Sequence, residues 1–237
     1  QGQAQQWSSH FAYNNVTQIA MTLDRVYAVS DGSLYSVDKQ SEKIQIYNRQ
    51  SGLHGTKITC IAYDDISNTL IIAYEAGRLD LLTPYGVQYI GDLYNKDMME
   101  EKTVYNMTIH NRTAYFSTHY GVQTFDLREK KLVDSYWLRP NGEVTPIKDV
   151  LILGDSIYAF GEDSLYCADM HDNIVDYHFW NREPRSSRIQ PDSNKGVRYE
   201  DASGVWLAGS TEGVVREMLT ERVAYKPEGP LSNIPYR

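Results

Sequence analysis

Apolar positions arrive in short bursts across residues 58–90, ITCIAYDDISNTLIIAYEAGRLDLLTPYGVQYI, and each burst is closed by turn formers. The pattern predicts four strands, at 58–63, 70–74, 79–82 and 87–90, rich in β-branched, leucine and aromatic residues. Asp64 to Asn68, Glu75 to Gly77 and Thr83 to Gly86 separate them, each short enough for a hairpin. The stretch is therefore an antiparallel meander. One such sheet is too small to cover both of its own faces, so it needs neighbours.

The sequence supplies neighbours by repetition. An apolar strand, a turn with a small residue and a second apolar strand recur around Gly32, Gly77 and Gly121, spaced 45 and 44 residues apart. Residues 158–166 lie over residues 27–35 with Asp163 in the glycine slot, and residues 205–209 followed by Gly213 make a fifth copy. Glycine suits the slot because a tight hairpin needs positive φ. The fold class predicted is all-β, a β-propeller of four-stranded antiparallel blades, with repeats at 16–57, 58–103, 104–146, 147–194 and 195–225.

Within that scheme the first blade has strands at 19–21, 26–29, 34–37 and 43–47, and the third runs over 104–136. The fourth begins near Ile147 and ends on a strand at 174–179, followed by a polar loop over 180–194. The charged stretch 96–102 is expected to hold one helical turn. Aromatic residues 7–13 are expected to add a strand that completes a blade from the other end of the chain, and 226–237, with three prolines, reads as a linker or arm. Five repeats either close as a small ring or form an open arc; an arc exposes two apolar lateral faces and predicts self-association.

Composition narrows the class. The 237 residues carry a net charge of −8 and 19 tyrosines, a globular profile rather than a disordered one. With a pI near 5.2 and scattered rather than striped Lys and Arg, the chain does not read as a nucleic-acid binder. No apolar run approaches the roughly 20 residues that span a bilayer. The polar start, Gln1 to Gln6, reads as the remnant of a cleaved signal peptide or as an expression scar. Cys60 and Cys167 fall inside predicted strands of different repeats, which favours two separate buried thiols over a disulfide.

Catalysis finds no support in the motifs. His10, His54, His110, His119, His171 and His178 never adopt a zinc spacing, and the Asp169-Met170-His171-Asp172 run reads as a solvated loop. No nucleophile elbow, phosphate loop or HExxH is present, and the Asp64-Asp65 and Glu100-Glu101 pairs sit in turns where carboxylates bind local N–H groups. Neither a cofactor nor a metal is expected. Binding fares better, because the turns after each second strand and the loops between blades should converge on one face. That face would carry Asp31, Tyr74, Glu75, His119, Tyr120, Glu162, Thr211 and Glu212, with His54, Arg182, Arg185 and Arg188 at its rim. Rings beside carboxylates and arginines suit a sugar or a protein partner, and they equally suit ordinary solvated hairpin ends.

The runs Ser51-Gly52-Leu53, residues 58–64 and 70–74, Gly77 to Leu82 and Ala114 to Val122 resemble the N-terminal propeller of PorZ-like proteins, with the similarity strongest over 7–138. These are cell-surface components of the type IX secretion system in Bacteroidetes, within a wider set of propellers built from two-component-regulator-type repeats. The resemblance implies an exported, non-enzymatic scaffold at the outer-membrane surface or in the periplasm. It implies partners in a sortase-like peptidase and in lipopolysaccharide or another glycan. It also implies a larger protein, with a full ring of about seven blades, a second ring and a C-terminal β-sandwich. The alternative reading is the ligand-sensing periplasmic propeller of a two-component-type regulator that recognises a glycan.

Overall fold

The structure, a computed structural model, describes residues 15–162, 164–184, 197–201, 204–210, 213–217 and 222–225. Blade 1 consists of β1 (Val16–Met21), β2 (Arg25–Ser30), β3 (Ser33–Asp38) and β4 (Ile44–Tyr47). Blade 2 consists of β5 (Ile58–Asp64), β6 (Thr69–Tyr74), β7 (Leu79–Thr83) and β8 (Gly86–Ile90), followed by the single helical turn α1 (Asp92–Asn95). Blade 3 holds β9 (Val104–His110), β10 (Thr113–Thr118), β11 (Gly121–Asp126) and β12 (Lys131–Tyr136). Blade 4 holds β13 (Ile147–Leu153), β14 (Ser156–Gly161), β15 (Ser164–Asp169) and β16 (Asn181–Pro184). A fifth sheet contains β17 (Val197–Asp201), β18 (Gly204–Ser210), β19 (Gly213–Glu217) and β20 (Arg222–Tyr225). All five sheets are separate, antiparallel and ordered as in the sequence, the architecture of propeller blades.

Blades 1 to 4 stack face to face, with the first strand of each beside the first strand of the next: β1 by β5, β5 by β9 and β9 by β13. Side-chain alternation sends successive residues of one strand into different cores. On β6, Leu70, Ile72 and Tyr74 pack toward blade 1, while Ile71 and Ala73 pack toward blade 3. On β10, Ala114 and Phe116 face blade 2 and Tyr115 faces blade 4. Both strands are covered on both faces, which is why residues 70–74 read as an unbroken apolar run. Each fully buried Leu or Ile contributes about 1.5–3 kcal/mol of burial free energy, so these shared cores hold blade to blade.

The glycine slots behave as the turns require: Gly32, Gly77 and Gly121 have φ of 73°, 78° and 139°. At Gly121 a Cβ would lie 2.1 Å from the Tyr136 carbonyl oxygen, so no side chain fits there. The turns also touch the next blade, since the Ile58 N–H donates to the Gly32 carbonyl at 2.9 Å.

A bulge recurs at the second residue of the first strand in blades 1 to 4. Pairing with the neighbouring strand skips Thr17, Thr59, Tyr105 and Lys148 in turn. Nothing in the hydrophobic pattern marks these positions.

Two expectations are corrected. The last strand of blade 4 is β16, not 174–179; that stretch is a turn containing the short 3-10 segment Tyr177–Phe179. Its apolar residues are buried without being extended, as Ile174 and Trp180 enter the core between blades 3 and 4 and the Trp180 indole N–H donates to the Ile174 carbonyl at 2.8 Å. The helical turn falls at α1, ahead of 96–102, where Leu93 is drawn into the core between blades 2 and 3. Cys60 and Cys167 form no disulfide, and only the first is fully buried; burial pushes the Cys60 thiol up to about 12. The expected strand at 7–13, Asp163, the arm at 226–237 and the terminal Gln1 to Gln6 lie outside the described residues.

Candidate functional site

The three loops that join blades 1 to 4 are each fastened to the blade that follows by a basic side chain reaching a polar group on the third strand. His54, in the loop before β5, places its backbone N–H 2.8 Å from Asp80 Oδ2 and its ring Nδ1 2.8 Å from Oδ1. Lys96, before β9, donates to Gln123 Oε1 at 2.8 Å and Ser135 Oγ at 2.6 Å. Arg139, before β13, donates through Nε to the Tyr166 hydroxyl at 2.9 Å and pairs with Glu143. The separations of 26, 27 and 27 residues repeat with the blades.

The receiving groups are buried, so their hydrogen bonds are worth more than the same bonds in water. Asp80 is 0% exposed and accepts a third hydrogen bond from the Tyr74 hydroxyl at 2.6 Å. Burial, followed by that bond to a carboxylate, holds the Tyr74 hydroxyl well above the usual phenol range. Gln123 is equally buried and spends its amide N–H groups on the Thr124 and Asp134 carbonyls. Desolvation, then the Lys102 charge, lowers the Lys96 ammonium. Hydrogen bonds donated to Tyr166 and then to Glu143 raise the Arg139 guanidinium.

Held this way, the loops frame a cluster built on the bulges of blades 3 and 4. Lys148 Nζ lies 4.9 Å from the centre of the Tyr105 ring, a cation–π contact between two bulge residues. The Tyr105 hydroxyl reaches Glu101 at 3.4 Å and His119 Nδ1 at 3.5 Å. Burial and the Glu101 charge raise the Tyr105 phenol. Beside it Asn106 donates to Asp149 Oδ1 at 2.8 Å. In blades 1 and 2 the bulge residues are Thr17 and Thr59, whose hydroxyls turn back to the Val29 and Ala73 carbonyls. The cluster thus offers an aromatic ring, a cation, a carboxylate and an imidazole, a set suited to stacking and hydrogen bonding.

The structure scatters the residues expected from sequence. Tyr74 and Tyr120 are 1% and 0% exposed, and this corrects their expected place on an open face. Gly55 covers the Tyr74 ring, leaving no room for a Cβ, and Trp137 packs 5.3 Å from the Tyr120 ring, so both tyrosines act as internal anchors. His119 joins the Tyr105 cluster, and His54 is half-exposed with its ring 5.4 Å from Tyr89. Glu75 pairs with Lys57 at 3.4 Å, Asp31 accepts from Asn15 at 2.8 Å, and Glu162 is exposed in its own turn. Arg182 lies on β16 and donates to Ser164, while Arg185, Arg188, Thr211 and Glu212 lie outside the described residues. Sequence reasoning missed Tyr105, Lys148, Glu101, Asp80, Gln123, Lys96 and Arg139; the repeat of 26 to 27 residues between basic and polar positions was the available signal for three anchors. Among the described residues no three His, Cys, Asp or Glu side chains gather to hold a metal ion, and no helix is long and apolar enough to cross a membrane.

Comparison with known proteins extends the picture. PorZ, described as an essential bacterial surface component of the type IX secretion system of Porphyromonas gingivalis, superposes with a TM-score of 0.68 at 24% identity. The match covers 90% of this chain and 28% of that one, so the chain spans under a third of the length of PorZ. The extracellular domain of a putative hybrid two-component system from B. thetaiotaomicron gives a TM-score of 0.65 at 16% identity, covering 94% of this chain and 29% of that one. At such identities the likeness is one of fold. No curated protein matches the chain. The family model described as TSS9, PorZ, N-terminal beta-propeller domain matches residues 26–181, about two thirds of the sequence, and the chain therefore belongs to that family.

Proposed function

We propose that the chain is a non-enzymatic propeller scaffold of an exported protein, and that the loop-bearing end of blades 3 and 4 makes its contacts with secretion-pathway proteins and with a glycan. The observation that carries this reading is the Tyr105–Lys148 pair, lifted out of two strand ladders by bulges and joined by His119 and Glu101. Bulges commonly re-aim side chains toward a partner while the surrounding sheet stays rigid. Membership of the PorZ propeller family supports the scaffold, and the description of PorZ as a surface component supports export. A single propeller domain, part of a larger ring, fits the serial stacking of the blades.

The test is the triple substitution Tyr105→Ala, His119→Ala and Lys148→Ala in the purified chain. Binding to lipopolysaccharide and to the sortase-like peptidase is measured by interferometry, with thermal melting as the control for folding. Loss of either interaction supports the assignment, and unchanged affinity for both removes it.

A further inference from the structure

On the edge of the blades away from the anchored loops, a cleft of about 640 Å³ opens between blades 2 and 3. Its lining includes Ile66, Leu81, Tyr85, Arg112, Arg128 and Lys130. It contains three cations and no carboxylate, in a chain whose net charge is −8. Acidic side chains stand nearby outside the lining: Asp65 and Glu129 are exposed neighbours in sequence of Ile66, Arg128 and Lys130. Asp64 accepts from the Ser67 N–H and hydroxyl, and Asp126 accepts from the Arg128 and Glu129 N–H groups and also feels the Arg128 charge. Lys130 Nζ donates to Gln88 at 2.7 Å. Apolar surface is offered as well, since Tyr85 is 99% and Ile66 62% exposed.

Arg112 stands out on two independent grounds. Its Nε is shielded from solvent and finds no acceptor in the protein. A buried guanidinium N–H without a partner is costly, and so is rare in a settled fold. Its backbone is also held in a conformation that arginine does not favour. Thr113 pairs directly with His110, which leaves Asn111 and Arg112 as the two turn residues, with φ of 48° and 63°. A two-residue hairpin with both φ positive strongly prefers Asn-Gly, and this chain supplies the Asn but replaces the Gly by Arg. A local rule broken at a cleft-lining arginine with one unsatisfied N–H is the kind of conflict expected at a functional position.

We infer that this cleft is a binding site for an organic anion, a carboxylate or phosphate group on an apolar or aromatic body. Arg112 takes the acid group, Arg128 and Lys130 supply the surrounding positive field, and Tyr85 and Ile66 cover the body. The volume lies in the range of small-ligand pockets. A guanidinium suits either oxyanion through its fixed fork of donors. Low-dielectric walls focus its field despite the acidic balance of the whole.

The test titrates the purified chain with phenyl phosphate, benzoate and neutral benzyl alcohol by calorimetry. At least one of the two acids binds, its affinity falls with added salt, and the alcohol binds at least tenfold more weakly, by roughly the worth of a charged hydrogen bond. Whichever acid binds more tightly names the acid group. Arg112→Gly restores the favoured turn, so its melting temperature is unchanged or higher while acid affinity falls roughly tenfold or more. Arg128→Gln, at an exposed turn position, weakens acid binding to a smaller extent, and Arg49→Ala leaves it unchanged. The inference is overturned if neither acid binds, if the alcohol binds as well as the acids, or if Arg112→Gly and Arg128→Gln keep full affinity. It is also overturned if Arg112→Gly melts lower, since the arginine would then serve the fold.

Discussion

Three histidines contact aspartates with nearly the same geometry, yet one contact closes a loop onto a blade and the other two only shape a turn. The ring Nδ1 to carboxylate distances are 2.8 Å for His54–Asp80, 2.9 Å for His171–Asp169 and 2.7 Å for His178–Asp176. In each pair the histidine backbone N–H bonds the same carboxylate. What differs is the surroundings. The Asp80 carboxylate is 0% exposed, against 56% for Asp169 and 44% for Asp176, and its partner is 26 residues away instead of two. Contact distance therefore says little about importance here; desolvation and chain separation decide it.

The largest expected effect comes from Asp80→Ala, which strands the Tyr74 hydroxyl and the His54 N–H in a buried place. Removing one partner from such a network costs about 3–5 kcal/mol, and at about 2–4 °C per kcal/mol for a chain of this size the melting temperature drops by roughly 10 °C. Asp169→Ala, by contrast, should melt within error of the wild type. Equal losses for the two variants would end the distinction.

Next comes Tyr74→Phe, which keeps the ring in its core and deletes only the hydroxyl. Loss of a hydrogen bond to a charged group costs about 1.5–3 kcal/mol, read from denaturant midpoints at unchanged slope. His54→Ala is milder, about 1 kcal/mol, because the ring is half-exposed. Its sharper signature is local: amide exchange over 49–57 should accelerate, while exchange in blade 3 stays as it was.

The smallest effect is a pH dependence. The hydrogen bond to Asp169 is the main cause that raises His171, and the backbone N–H of His171, then its side chain, lowers Asp169. The histidine part of this stabilisation is complete below 6.5 and disappears as pH rises through the raised folded value. The carboxylate part is present above 3.8 and disappears as pH falls through the lowered one. An NMR titration should place the His171 midpoint above 6.5, and Asp169→Asn should bring it back down.

The same contrast explains what the sequence made legible. Asp169 and His171 are two residues apart, and their run reads correctly as a solvated turn. The strand ladders and the glycines at 32, 77 and 121 also follow from local pattern, because alternation and positive φ act over a few residues. Asp80 looked like one polar residue in an apolar strand, since nothing local names a partner 26 residues upstream. Residues 174–179 misled for the opposite reason: their composition suits a strand, but tertiary packing around Trp180 bends them into a turn. For Tyr74 and Tyr120 position after a second strand predicts an open loop tip, but a tyrosine ring is readily buried when its hydroxyl has a partner, here Asp80 and Gln123.

The bulge shared by the first four blades separates two jobs that a strand usually performs together. A residue outside the ladder is freed from the pairing register, so threonine, tyrosine and lysine occupy the same socket in one chain. Substitution at positions 17, 59, 105 and 148 can thus change the side chain presented at the blade edge while the scaffold stays intact, much as interchangeable bits fit one handle.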